Sequence, residues 1–84
     1  MALVLYSTEA CHLCEEAFAL YQAVGNTTAL RVIDIAFDET LFSRYGVTIP
    51  VLSLQNEDGT VLSELGWPFD SSLLQTWLDT HGID

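Results

Sequence analysis

The sequence predicts an α/β domain of element order β-α-β-α-β-β-α, and three observations carry that prediction. An unbroken apolar run, Ala2 to Tyr6, precedes a stretch of helical period. A second short run rich in branched residues, Leu30 to Ile35, follows that stretch. Asn56-Glu57-Asp58-Gly59 then separates two further short runs with a strong turn signal. At 84 residues the chain suffices for one domain and not two, since independent domains cluster near ~100 to 150 residues. It holds no internal repeat, low-complexity tract or linker.

The elements follow in order. Ala2 to Tyr6 is apolar at every position, which suits a central strand covered on both faces. Ser7-Thr8-Glu9-Ala10 breaks it, and from Cys11 to Val24 the residues Cys14, Ala17, Phe18, Tyr21 and Val24 recur at helical spacing, ended by Gly25-Asn26. Leu30 to Ile35 is then a second strand, parallel to the first through a right-handed crossover. Asp38 can cap a brief helix carrying Leu41, Phe42 and Tyr45, which Gly46 stops. Pro50 cannot donate a ladder bond and therefore stands at the start of a third strand, Val51 to Leu54. This strand forms an antiparallel hairpin with Thr60 to Leu65. Gly66 to Phe69 is a loop, and Asp70 caps a last helix with an apolar stripe of Leu73, Leu74, Trp77 and Leu78, closed by His81 and Gly82.

Composition narrows the function. With 50% hydrophobic and 17% charged residues, disorder is excluded. Twelve acidic residues against two arginines give a formal charge of -10, which repels phosphate backbones and anionic lipid. Neither nucleic acid nor a membrane surface is therefore an expected partner, whereas a basic surface is. No apolar run approaches the ~20 residues of a membrane helix, and Met1 leads into Ala-Leu-Val-Leu without a basic leader segment. The expectation is a cytoplasmic monomer in a reducing compartment.

Cys11 and Cys14 carry the chemistry. A bond closing so short a loop stabilises a fold by only about 2 kcal/mol in the chain-entropy estimate, less than longer loops do, so the pair suits a reversible couple better than a staple. Cys11 stands at the start of the first helix, where unpaired amides and the positive dipole end favour a thiolate and can bring a cysteine from ~8.5 toward ~7. Cys14 lies one turn deeper on the same face, placed to resolve a mixed disulfide formed at Cys11. His12, when protonated, favours the thiolate, and Glu9, Glu15 and Glu16 oppose it.

These residues, with Val32-Ile33-Asp34-Ile35, Arg44-Tyr45-Gly46-Val47, Ile49-Pro50-Val51-Leu52 and Gly66-Trp67-Pro68-Phe69-Asp70, give the chain a resemblance. It resembles the thioredoxin-fold proteins of the glutaredoxin-like group, in particular its short glutaredoxin-like domains, over nearly its whole length. The resemblance implies a four-stranded mixed sheet of order 2-1-3-4 with three helices. It also implies a cis Ile49-Pro50 bond, Pro50 lying against Cys11, and an Ile49 backbone that pairs with an extended thiol substrate. The implied activity is thiol-disulfide exchange on protein or small-molecule thiols, with no tightly bound cofactor.

Departures from the family pattern bear on the substrate. His12-Leu13 replaces the Pro-Tyr of familiar glutaredoxins and the Gly-Pro of thioredoxins. Glutathione-binding members carry a basic residue just before the first cysteine, where this chain has Ser7-Thr8-Glu9-Ala10. Gly66 to Asp70 does resemble the segment that holds the glutamyl end of glutathione, with Asp70 and Ser71 facing its amino group. The expectation is glutathione as a weak co-substrate, since it shares the protein's sign of charge, unless Arg44 or Arg31 receives a carboxylate. Trp67 is open to two roles, an aromatic wall beside the cysteines or part of the core, whereas Trp77 is assigned to the core. The competing class is a redox-inert adaptor or a dimeric metal or iron-sulfur module, because two cysteines and His12 fall short of four ligands within one chain. No metal site is assigned to the monomer, and His81 is most simply a cation at a helix end.

Overall fold

The computed structural model describes residues 2–24 and 28–83. The helix stop expected at Gly25-Asn26 lies outside the described residues. The first strand, β1, is Ala2–Ser7, and four consecutive residues in it, Leu3 to Tyr6, are buried. A strand that is dry at successive positions has both faces covered. Leu3 and Leu5 enter one core with Leu52, Leu54, Ala17, Tyr21, Leu74 and Leu78. Val4 and Tyr6 enter the other, with Val51, Ile35 and Tyr45.

Helix α1 (His12–Ala23) is capped by Cys11 and buries Cys14, Ala17 and Tyr21, a stripe at helical spacing. Strand β2 (Leu30–Asp34) pairs parallel to β1, with Leu3 opposite Leu30 and Leu5 opposite Val32. The sequence predicts that the strand reaches Ile35. Instead the Asp34 carboxylate accepts the Ala36 N–H at 2.8 Å and turns Ile35–Phe37 into a single 3-10 turn, the local competition with the ladder that short acidic side chains offer. Helix α2 (Glu39–Tyr45) starts at Asp38, whose carboxylate accepts the Leu41 N–H at 3.0 Å.

Strand β3 (Val51–Gln55) lies antiparallel to β1, and β4 (Val61–Gly66) antiparallel to β3. The sheet order is β2-β1-β3-β4, the mixed arrangement that the resemblance implies. Between β3 and β4, Gly59 takes a left-handed φ of 87°, which glycine adopts without steric cost. Helix α3 (Ser71–Thr80) is capped by Asp70, which accepts the Leu73 N–H at 2.8 Å. The helices divide between the faces, α1 and α3 on the Leu3/Leu5 side and α2 on the Val4/Tyr6 side. Full burial of Leu74 and Leu78 contributes about 1.5–3 kcal/mol for each relative to exposure.

Two apolar assignments differ from expectation. Leu73 is 53% exposed and Phe42 is 57% exposed, because each lies at the margin of a helix face whose centre is held by Leu74 and Leu78 or by Tyr45. Trp77 is half-buried, packed on the core with its indole N–H donating to Ser63 Oγ at 3.1 Å. A buried indole needs such an acceptor, which keeps the ring at the core's edge. Among the described residues, no helix is long and apolar enough to cross a membrane.

Candidate functional site

The two cysteines stand where β1 hands over to α1. Cys11 is the N-cap of α1 in extended geometry, and its Sγ accepts the Cys14 N–H at 3.2 Å. It therefore does for the first turn what an Asp or Ser oxygen does at other helix starts. The structure joins Cys11 and Cys14 in a disulfide, with their Cα atoms 5.2 Å apart. The two ends of that bond are unlike: Cys11 is partly exposed, and Cys14 is buried as the first rung of the Cys14, Ala17, Tyr21 stripe. The residue before the pair, Ala10, has a φ of 57°, a conformation that costs an L-residue roughly 1–2 kcal/mol.

A cavity of about 310 Å³ opens beside the disulfide. It is lined by Leu5, Phe18, Val32, both cysteines, Glu9 and Glu15, among others. It opens on the β2 side of β1, whereas Pro50, at the start of β3, belongs to the other side.

The Pro50 segment is organised by Tyr45. The Tyr45 carbonyl accepts the N–H groups of Thr48 at 2.9 Å and Ile49 at 3.0 Å and the Thr48 hydroxyl at 3.3 Å. The Tyr45 ring stacks on Tyr6 with centroids 4.3 Å apart, and its hydroxyl donates to Glu64. Burial, and then the hydrogen bond and negative charge of Glu64, raise the Tyr45 phenol above its ordinary range. Pro50 is fully buried, Ile49 half-buried, and both Ile49-Pro50 and Trp67-Pro68 are cis peptide bonds. The Trp67 N–H donates to the Pro50 carbonyl at 3.2 Å.

The remaining sequence-predicted residues separate into groups. His12 and Glu15 face one another at 3.6 Å on the surface, 83% and 76% exposed, so the imidazole is directed to a carboxylate. Exposed pairs of this kind contribute about 0–1 kcal/mol. Trp67 meets Phe69 edge to face at 5.1 Å and lines a separate cavity with Glu16, Ala19, Leu20 and Ala23, not the one lined by the cysteines. Asp70 is exposed at the α3 start and occupied by its cap bond. Arg44 lies over the Tyr45 ring at 5.5 Å, and neither Arg44 nor Arg31 lines the disulfide cavity. Among the described residues, no three His, Cys, Asp or Glu side chains are grouped to hold a metal ion.

Sequence reasoning missed Val32, Phe18 and Leu5 as cavity residues and Tyr45 as the anchor of the Pro50 segment. Phe18, seven residues after Cys11 on the same helix face, could have been found by spacing. Val32 depends on the register of β2, which no local signal discloses.

The family model described as Glutaredoxin-like domain (DUF836) matches residues 2–79. The chain belongs to this family. Solved structures similar to this glutaredoxin-like domain include protein XcR50 from X. campestris, 38% identical, with 94% of this chain and 97% of that one covered at a TM-score of 0.78. Protein Ne2328 from Nitrosomonas europaea is 31% identical over 90% of this chain and 88% of its own, with a TM-score of 0.69. A mutant thioredoxin from Halobacterium salinarum, 24% identical, covers 94% of this chain and 72% of its own at a TM-score of 0.69, and shows that the glutaredoxin-like domain has the thioredoxin fold. No curated protein matches the chain.

Proposed function

We propose that this glutaredoxin-like domain exchanges thiols and disulfides through Cys11 and Cys14. The observation that carries the reading is the asymmetry of the pair: a partly exposed N-cap sulfur bonded to a buried one a helical turn behind it. In the reduced protein, the Cys11 thiolate attacks a substrate disulfide, forming a mixed disulfide and releasing one substrate thiolate, which takes a proton from water. Cys14 gives up its proton to water and attacks Cys11 Sγ, closing the protein disulfide and releasing the second thiolate, which is protonated in turn. Two electrons pass from protein to substrate, and the reverse sequence reduces the protein at the expense of a substrate dithiol.

Unpaired amides at the α1 start favour negative charge on the attacking sulfur. The protein charge of -10 and the carboxylates of Glu9 and Glu15 beside the disulfide disfavour anionic substrates such as glutathione, which acts on this reading as a weak co-substrate.

The test is single-turnover trapping. Reduced Cys14→Ser protein, mixed with hydroxyethyl disulfide, is expected to accumulate an adduct at Cys11 by mass spectrometry, while wild type releases it and closes its own bond. Absence of any adduct in Cys14→Ser would leave the fold as a redox-inert adaptor.

A further inference from the structure

We propose that the cavity on the β2 side of the disulfide is a subsite for a short aliphatic chain ending in a protonated amine, carried by the substrate disulfide. This deepens the thiol-exchange reading above and rests on it. The cavity, about 310 Å³, is at the small end of the ~300–1,000 Å³ typical of ligand sites, enough for a side-chain-sized group. Three apolar side chains line it: Leu5 is fully buried, Phe18 partly so, and Val32 is half-exposed. Both cysteines line it, so a disulfide whose chain enters the cavity brings its own sulfur toward Cys11.

Charge decides the class of chain. Glu9 and Glu15 are the ionisable residues of the lining other than the cysteines, and no Lys, Arg or His joins them. Arg31 adjoins Val32 in sequence, but its β1 partner is Val4, of the opposite core, so its side chain leaves from the other face of the sheet. His12, outside the lining, is directed to Glu15 at 3.6 Å. A lining that combines apolar side chains with two acidic residues favours a methylene chain with a terminal ammonium over a carboxylate-bearing one. Topology keeps this subsite apart from the Ile49-Pro50 segment, because β1 stands between β2 and β3.

The test measures single-turnover oxidation of the reduced protein by cystamine, a dication, and by neutral hydroxyethyl disulfide, each rate referred to that of dithiothreitol. Glu9→Gln and Glu15→Gln together are expected to lower the cystamine to hydroxyethyl disulfide rate ratio about fivefold, the scale of two screened charge contacts. Val32→Arg is expected to lower it as well. The same charge removed far from the cavity, in Glu39→Gln with Glu57→Gln, is expected to leave the ratio within about twofold. In a Cys11→Ser, Cys14→Ser protein, 1,3-propanediamine is expected to shift the backbone NMR signals of Leu5, Phe18 and Val32 in a saturable way. Exchange with both disulfides but an unaltered ratio in the rim variants would overturn the subsite and leave the thiol-exchange reading standing. Exchange with neither disulfide would overturn that reading, and the diamine titration then decides the subsite alone: saturable shifts uphold it as a binding site, and their absence refutes it.

Discussion

The backbone N–H of Cys14 is aimed at Cys11 Sγ from 3.2 Å. One sulfur thus receives a donor and faces solvent, while its partner sits under the helix. In the reduced protein, iodoacetamide is expected to modify Cys11 at least about tenfold faster than Cys14, because thiol reactivity follows access and thiolate character. Peptide mapping after a short pulse of reagent reads the ratio directly, and equal labelling would contradict the assignment of the attacking thiol.

Ala10, next to that sulfur, holds a φ of 57°. Ala10→Gly removes the Cβ that this conformation crowds, against a larger entropy loss on folding, and is expected to stabilise the domain by up to ~1 kcal/mol. Urea denaturation measures it. A loss of stability would mean that Ala10 is not held left-handed in solution.

At Gly46 the opposite is expected. Its φ is -54°, so glycine is not required there by backbone conformation. A Cβ would, however, stand 2.5 Å from the Phe42 carbonyl oxygen. Gly46→Ala is expected to cost about 1–3 kcal/mol through that overlap, read as a lower urea midpoint at constant slope.

The buried phenols set the alkaline limit. Burial raises Tyr21, and burial with Glu64 raises Tyr45. With folded values above the unfolded ~10, the native state holds more protons once the pH passes that point, so stability is complete below about pH 10 and falls above it. Tyr45→Phe is expected to flatten this alkaline decline while lowering stability near neutrality by about 1 kcal/mol, from the lost bond to Glu64. Denaturation midpoints at pH 7, 9, 10 and 11 test both; an unchanged alkaline slope would refute the Tyr45 contribution.

Asp70 separates capping from charge. Asp70→Asn keeps an oxygen for the Leu73 N–H and is expected to stay within about 0.5 kcal/mol of wild type, whereas Asp70→Ala is expected to lose about 1 kcal/mol. Thermal unfolding of the two variants distinguishes them. Equal loss in both would show that the carboxylate's charge, and not the cap bond, supports α3.

What could be read from the chain in advance was mostly what is local. The caps at Asp38 and Asp70 and the turn at Gly59 answer to nearest-neighbour hydrogen bonding and backbone freedom, and the unbroken Leu3 to Tyr6 run answers to burial on two faces. Asp34 carried an equally local signal, its affinity for the N–H two residues on, and reading it would have ended the second strand before Ile35. Val32 and Tyr45 are different. One enters the cavity only because it stands opposite Leu5 across a parallel pair, and the ring of the other is held by its stack on Tyr6. Both depend on register and packing between distant segments.

Since Cys14 opens the inner stripe of α1, the sulfur bridge is shared between solvent and interior. Any tightening of the interior when the bridge closes is, by the thermodynamic cycle, the same free energy that makes the folded pair harder to reduce than the unfolded one. Substitutions at Ala17 or Tyr21, both buried, would thereby tune how readily this domain gives up electrons.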